Sequence, residues 1–256
     1  MIGYGVLKMI KAEYDLHLLL LHKKFEKKNI IWLGDSIHAY TEPDGITVPE
    51  YFECHSGAKC YNWCQSGTTM ALMDEEAYDP YSGVEMVNAL ISRDFIELDE
   101  FRVEQGFEAQ IAEMKAFDMD EADYMILEFG TNDAIREIPP DNGVQKMDVY
   151  TTGGALRYIL HILKEQYPAL KIFVCNVQPG RGHIWGDSSR EYDFQVVSEV
   201  IERVCDEYEV PMIDIYGELG LTSENEEDIL SDGLHRSHEG KLRQVHAIEK
   251  KLLSTF

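Results

Sequence analysis

No stretch of this sequence stays apolar for the roughly 20 residues that a membrane-crossing helix needs. The apolar segment near its start, residues 16–21, is interrupted by His17 and followed by His22-Lys23-Lys24. A secretory leader needs an apolar core of roughly 7 to 15 residues and a small-residue cleavage site, so secretion by that route is not expected. Positive charge is also scarce: 23 basic residues face 47 acidic ones, a formal net charge of -24. Such a surface repels phosphate backbones and anionic lipid heads, which argues against nucleic acid as a partner and against stable membrane insertion. Paired cysteine spacing is missing too. Cys54, Cys60, Cys64, Cys175 and Cys205 are odd in number and irregularly placed, which points to free thiols in a reducing compartment, the cytoplasm. Cys54, His55, Cys60 and Cys64 lack the C-x-x-C pairs of a zinc cluster; Cys60 and Cys64 read instead as small buried hydrophobes of a strand, and no metal is expected. Internal repeats, low-complexity runs and domain linkers are absent. The 256 residues can bury roughly three quarters of their unfolded surface.

What is present begins with a contrast of charge. Residues 1–28 carry Lys8, Lys11, Lys23, Lys24, Lys27 and Lys28 against Glu13, Asp15 and Glu26. They read as a basic amphipathic helix ahead of an acidic body. Its apolar face could pack on that body, on a second copy of the chain to form a homo-oligomer, or reversibly on a membrane surface. Residues 29–256 form the main domain. Apolar runs at 29–33, 59–63, 124–129, 171–177 and 210–215 are short and continuous, as strands covered on both faces are. Helical patterns at 154–167, 190–208 and 239–253 separate or follow them. The pattern predicts an α/β fold of three layers, α/β/α, around a five-stranded parallel sheet. Residues 70–119 are long for one crossover, and helical patterns at 83–92 and 99–116 predict an inserted helical layer. Pro139, Pro140, Gly143 and Gly153-Gly154 make residues 133–153 an irregular loop.

Four separated pieces carry chemistry: Gly34-Asp35-Ser36, Ser66-Gly67-x-Thr69, Gly130-Thr131-Asn132-Asp133 and Asp232-Gly233-Leu234-His235. The first three follow strand-like runs, and ligands in such sheets bind outside the carboxyl ends of the strands. Ser36 is the candidate nucleophile. A serine hydroxyl needs a base within hydrogen-bond reach, and His235 has an acid, Asp232, three residues earlier to fix its tautomer; His183 and His238 lack one. The backbone N–H groups of Ser36 and Gly67 and the amide of Asn132 are candidate donors to an oxyanion. Each piece alone is an ordinary turn or helix cap, so their order carries the argument. Asp35, Thr131 and Asp133 read as structural support.

On these residues the chain resembles the SGNH hydrolases, or GDSL esterase/lipase superfamily, over about residues 29–253. Its blocks are Gly34-Asp35-Ser36-Ile37, Asn62-Trp63-Cys64-Gln65-Ser66-Gly67-Thr68-Thr69, Gly130-Thr131-Asn132-Asp133 and Asp232-Gly233-Leu234-His235. Ile37 stands where the family has leucine, and neither the residues before Ile30 nor the insertion match it. The resemblance implies a flavodoxin-like fold, a triad of Ser36, Asp232 and His235, an oxyanion hole of Ser36, Gly67 and Asn132, and no cofactor. It implies a small-molecule ester substrate, expected here as a short acyl or acetyl group on a carbohydrate or other small molecule. A lysophospholipase or thioesterase and a noncatalytic binding protein on the same fold are the alternatives. Trp63, Tyr40 and the 179–185 loop, with Arg181, His183 and Trp185, are candidates to line the substrate pocket, the alternative being that these aromatics only pack the loops.

Overall fold

The computed structural model describes residues 2–74, 80–178 and 194–255. In chain order its elements are α1 (Ile2–Phe25), β1 (Asn29–Gly34), α2 (Ser36–Ala39), α3 (Val48–Ser56), β2 (Lys59–Asn62), α4 (Gly83–Ser92), α5 (Ile96–Val103) and α6 (Glu108–Ala116). Then follow β3 (Tyr124–Glu128), α7 (Thr131–Ile135), α8 (Thr152–Gln166), β4 (Lys171–Cys175), α9 (Phe194–Tyr208), β5 (Met212–Ile213), α10 (Ile215–Glu218), α11 (Glu226–Ile229) and α12 (His238–Thr255). The strands form one sheet in the order β2-β1-β3-β4-β5, and every pairing is parallel.

Strand side chains alternate between two apolar layers. Ile31, Leu33, Met125, Leu127, Ile172 and Val174 face a cluster completed by α4, α5, α6, α8 and α9. Ile30, Trp32, Tyr124, Ile126, Phe173 and Cys175 face the other, completed by α1, α3 and α12. The three layers are those the sequence predicts. The same alternation sends Glu128, at the end of β3, toward the α12 side.

The second half of α1 packs on this chain's own body. Leu21 and Phe25 are fully buried, and the Phe25 ring lies 5.7 Å from Phe52 and 5.3 Å from Tyr124 between centroids. Burial of two such side chains contributes about 1.5–3 kcal/mol each. Tyr14, Leu16, Leu19 and Leu20 stay exposed on the same helix. Among the described residues no helix is long and apolar enough to cross a membrane.

Three differences from the sequence reading have local causes. The pattern at 99–116 is two helices, because Gly106 takes a left-handed turn (φ 80°) between α5 and α6. The run at 210–215 narrows to the two residues of β5, since Pro211 has no N–H for the ladder and β5 is an edge strand. Helix α3 was not expected, although Thr47 and Glu50 close a capping box at its start.

Candidate active site

The turn that carries Ser36 is built by a steric requirement at Gly34. A Cβ there would strike the backbone carbonyl of Glu128 on the neighbouring strand, so only glycine lets β1 lie this close to β3 and turn out of the sheet. Asp35 then fixes the turn: its N–H donates to the Glu128 carbonyl (3.2 Å) and its carboxylate accepts the Ile37 N–H (2.9 Å). Ser36 is thereby the first residue of α2, where a backbone N–H has no acceptor within the helix. Its side chain lies at the carboxyl edge of the sheet.

The loop between α11 and α12 brings His235 to that edge. Leu230 and Arg236 form an antiparallel bridge, and Ser231 N–H donates to the His235 carbonyl (2.8 Å). Inside this loop Asp232 Oδ1 accepts the N–H groups of Leu234 (3.0 Å) and His235 (2.7 Å). Its Oδ2 lies 2.8 Å from His235 Nδ1, and His235 Nε2 lies 2.9 Å from Ser36 Oγ. Partial burial works to raise the Asp232 pKa, but the hydrogen bonds from His235 and Leu234 outweigh it and hold the carboxyl below its ordinary value. Tyr40 stacks on the imidazole, 4.3 Å between centroids with the planes 19° apart.

Two more strand-end loops converge on Ser36. Gln65 N–H donates to the Gly34 carbonyl (2.9 Å), tying the loop after β2 to the elbow, and Gly67 turns through φ 79°, a conformation that favours glycine. Asn132, on α7 directly after β3, donates one amide hydrogen to Thr68 O (3.0 Å), which leaves its second for another acceptor. Asp133 holds the two loops together by accepting from Met70 N (2.7 Å) and Ala71 N (3.1 Å). The resulting cavity is about 480 Å³ and is lined by Ser36, Tyr40, Ser66, Gly67, Asn132, Ile135, Arg136, Leu234 and His235. A hydroxyl paired to a carboxylate-oriented imidazole beside two or three N–H donors can perform acyl transfer.

Comparison with known proteins agrees with this chemistry. Residues 32–243 match the GDSL-like lipase/acylhydrolase family. The chain belongs to that family. Among curated proteins none matches the sequence. Solved structures share the fold at low identity. A Lactobacillus plantarum protein is 19% identical over 91% of this chain and 99% of its own, with a TM-score of 0.66. The lipase/acylhydrolase from Enterococcus faecalis is 16% identical, covering 88% of this chain and 95% of its own at 0.53. A mutant of an acetyl-xylooligosaccharide esterase from Geobacillus is 16% identical, covering 91% and 96%, also at 0.53.

Beneath the cavity this family member carries a buried ionic network that the sequence did not disclose. Glu128, 2% exposed, lies 3.0 Å from Arg236 and 2.6 Å from His38, both fully buried, and the Gln244 amide donates to the same carboxylate. Burial alone would raise the Glu128 pKa, but the positive charges of His38 and Arg236 outweigh it and bring it to about 2. The network joins the strand beside Gly34, the helix α2 that carries Ser36, the His235 loop and α12. His38, Glu128 and Cys175 also converge within 4.8 Å. Arg236 already neutralises that carboxylate, and burial holds the Cys175 thiol protonated, with its pKa well above the ordinary value, so the cluster suits an ion pair better than a metal.

The pocket walls differ from expectation. Trp63, a candidate pocket residue, is instead fully buried in the layer of α4 to α9, where its indole donates to Glu113 on α6 (2.8 Å), and does not line the cavity. It shares the strand phase of Tyr61, which faces α6 and not the cavity. Arg181, His183 and Trp185 lie outside the described residues. Ile135, Arg136 and, from inside the His235 motif, Leu234 line the cavity and were not assigned to the pocket from sequence. Their adjacency to the Asn132 and His235 motifs was the available signal.

Proposed function

We propose that this acylhydrolase is a serine esterase that acts through an acyl-enzyme, with Ser36 as nucleophile, His235 as base and Asp232 as its orienting acid. One observation carries the reading: the unbroken path from Asp232 Oδ2 through the two ring nitrogens of His235 to Ser36 Oγ, with steps of 2.8 and 2.9 Å. His235 Nε2 takes the hydroxyl proton as Oγ attacks the ester carbonyl carbon. The carbonyl oxygen becomes an oxyanion facing the N–H groups of Ser36 and Gly67 and the remaining Asn132 amide hydrogen. The tetrahedral centre then expels the alcohol, which receives the proton from Nε2, and water repeats the cycle on the acyl-serine.

The substrate proposed is a short acyl or acetyl ester of a carbohydrate or other small alcohol. A cavity of about 480 Å³ with polar Ser66, Asn132 and Arg136 beside apolar Ile135 and Leu234 supports a small, polar leaving group, and five free thiols support a reducing compartment as the place of work. The test uses p-nitrophenyl esters of increasing acyl length, with Ser36→Ala as control and fluorophosphonate labelling as a second readout. Hydrolysis should peak at acetyl or butyryl and vanish in Ser36→Ala, with one adduct on Ser36. A peak at long acyl chains would replace the short-acyl reading by a lipid hydrolase, and a folded protein without an adduct would replace both by a binding protein.

A further inference from the structure

Glu249, on α12, gathers a second constellation apart from the cavity. Its side chain is 3% exposed, and a carboxylate removed from water needs compensating charge. The partners it finds among the described residues are imidazoles from three helices. His17 Nε2, on α1, lies 2.8 Å from Oε2; His55 Nδ1, on α3, lies 2.6 Å from Oε1; His246 Nδ1, one turn earlier on α12, lies 3.9 Å from Oε2.

Three of these groups have the arrangement of a metal seat. The ligand atoms of His17, His246 and Glu249 lie within 4.8 Å of one another. A tetrahedral zinc with bonds of 2.0–2.1 Å holds its donors about 3.3 Å apart, and the separations of 2.8 and 3.9 Å fall on either side of that value. The His246 side chain is 65% exposed, so its ring can turn toward the centre without disturbing the core, and solvent can supply a fourth ligand. His55 acts from outside: its bond to Oε1 orients the carboxylate and leaves Oε2 for the ion, the usual task of an outer partner. Unlike Glu128, this carboxylate has imidazoles and no guanidinium as its partners among the described residues.

We propose that His17, His246 and Glu249 bind one divalent transition-metal ion, zinc being the best match to two imidazoles, a carboxylate and water, and that the ion staples α1 to α12. Glu249 lies about 16 Å along α12 from its first residue, His238, and the cavity around Ser36 is lined by none of the three ligands. The site is structural, and ester hydrolysis does not pass through it.

The experiment uses the tag-free full chain, stripped with chelator and titrated with cobalt(II) by visible absorption, then with zinc by calorimetry and thermal melting. One saturable equivalent, cobalt bands displaced by zinc and a higher melting temperature with zinc are expected. His246→Ala should weaken binding at least tenfold and remove the melting shift, whereas His161→Ala, an exposed histidine on α8, should change neither. Glu249→Gln should bind still more weakly; if it fails to fold, His246→Ala decides alone. Absence of a saturable single site, or equal binding by the wild type and His246→Ala, overturns the proposal. None of these readouts measures hydrolysis, so they stand apart from the test of Ser36.

Discussion

Replacing Arg236 by methionine isolates a charge at the base of the active site. Arg236 is 0% and Glu128 2% exposed on their side chains, 3.0 Å apart, so the variant leaves a carboxylate in the interior with the His38 imidazole and the Gln244 amide as its remaining partners. Removal of one member of a buried pair costs about 3–5 kcal/mol, a large share of the 5–15 kcal/mol typical of a whole domain. Urea unfolding reads this through Trp32 and Trp63, both fully buried. The decisive measurement is the cycle with Glu128→Gln. If stranded charge is the cause, the double variant should be less destabilised than Arg236→Met alone, because the neutral amide no longer demands a cation.

Acid supplies an independent check on the same network. The Glu128 carboxyl is held at about 2 in the folded protein, below its unfolded value near 4.3. Its contribution to stability is therefore complete above about pH 4.3 and disappears as pH falls through 2. In Arg236→Met that carboxyl protonates at higher pH, so the deficit should be largest at neutral pH and shrink on acidification. Arg236 also follows His235 in the chain, and a shift of that loop by about 1 Å should lower kcat by up to roughly 100-fold with a smaller change in KM. Strict additivity in the cycle, together with a deficit independent of pH, would refute the reasoning.

Asp232→Asn should lower kcat by about 10²–10⁴-fold while thermal unfolding moves little, since the side chain is 45% exposed; unchanged ester hydrolysis would remove Asp232 from the proposed mechanism. Asn132→Ala should lower kcat by about 10²–10³-fold with KM nearly constant, and an effect confined to KM would make Asn132 a binding residue. Asp44 receives hydrogen bonds from Lys241 (2.7 Å), His238 and Tyr51 (2.8 Å each). Burial pushes its pKa upward, but those bonds outweigh it and depress the value. Asp44→Asn should therefore destabilise the fold above about pH 4, with the difference from wild type fading as pH falls through the depressed value; a difference that grows in acid would contradict this.

The layers were legible because parallel strands covered on both faces leave continuous apolar runs, and three of the four candidate-site pieces were legible because each follows such a run; the fourth, Asp232 to His235, follows no strand and was read from its Asp-His spacing. Strand phase was harder to read. Trp63 has the composition of a pocket wall and the parity of a core residue, and parity won: Tyr61 and Trp63 point together toward α6. Gly106 could be read as a tolerated glycine within one helix or as a stop between two, and its left-handed φ decides for the stop. In α3 the signal was present, since Thr47 and Glu50 are a recognisable capping box in a stretch whose apolar periodicity is weak.

The Glu128–Arg236 pair shows where local reading stops. Glu128 interrupts an apolar strand, and by itself a charge at a strand end indicates an exit to solvent. Its partner lies 108 positions away, on a loop whose return path depends on the Leu230–Arg236 bridge and the packing of α12. Two facts must combine before the pair can be inferred: β3 alternation aims Glu128 toward α12, and the His235 loop must reach back over Ser36 for the proposed chemistry. Once both are granted, the residue after His235 enters the buried side of that loop, where an arginine requires an acid. The motif Asp232-Gly233-Leu234-His235 can be recognised without its neighbour, but Arg236 fastens it to the sheet. Catalytic geometry and loop anchoring should therefore fail separately: Asp232→Asn should lose rate while keeping stability, and Arg236→Met should lose stability first.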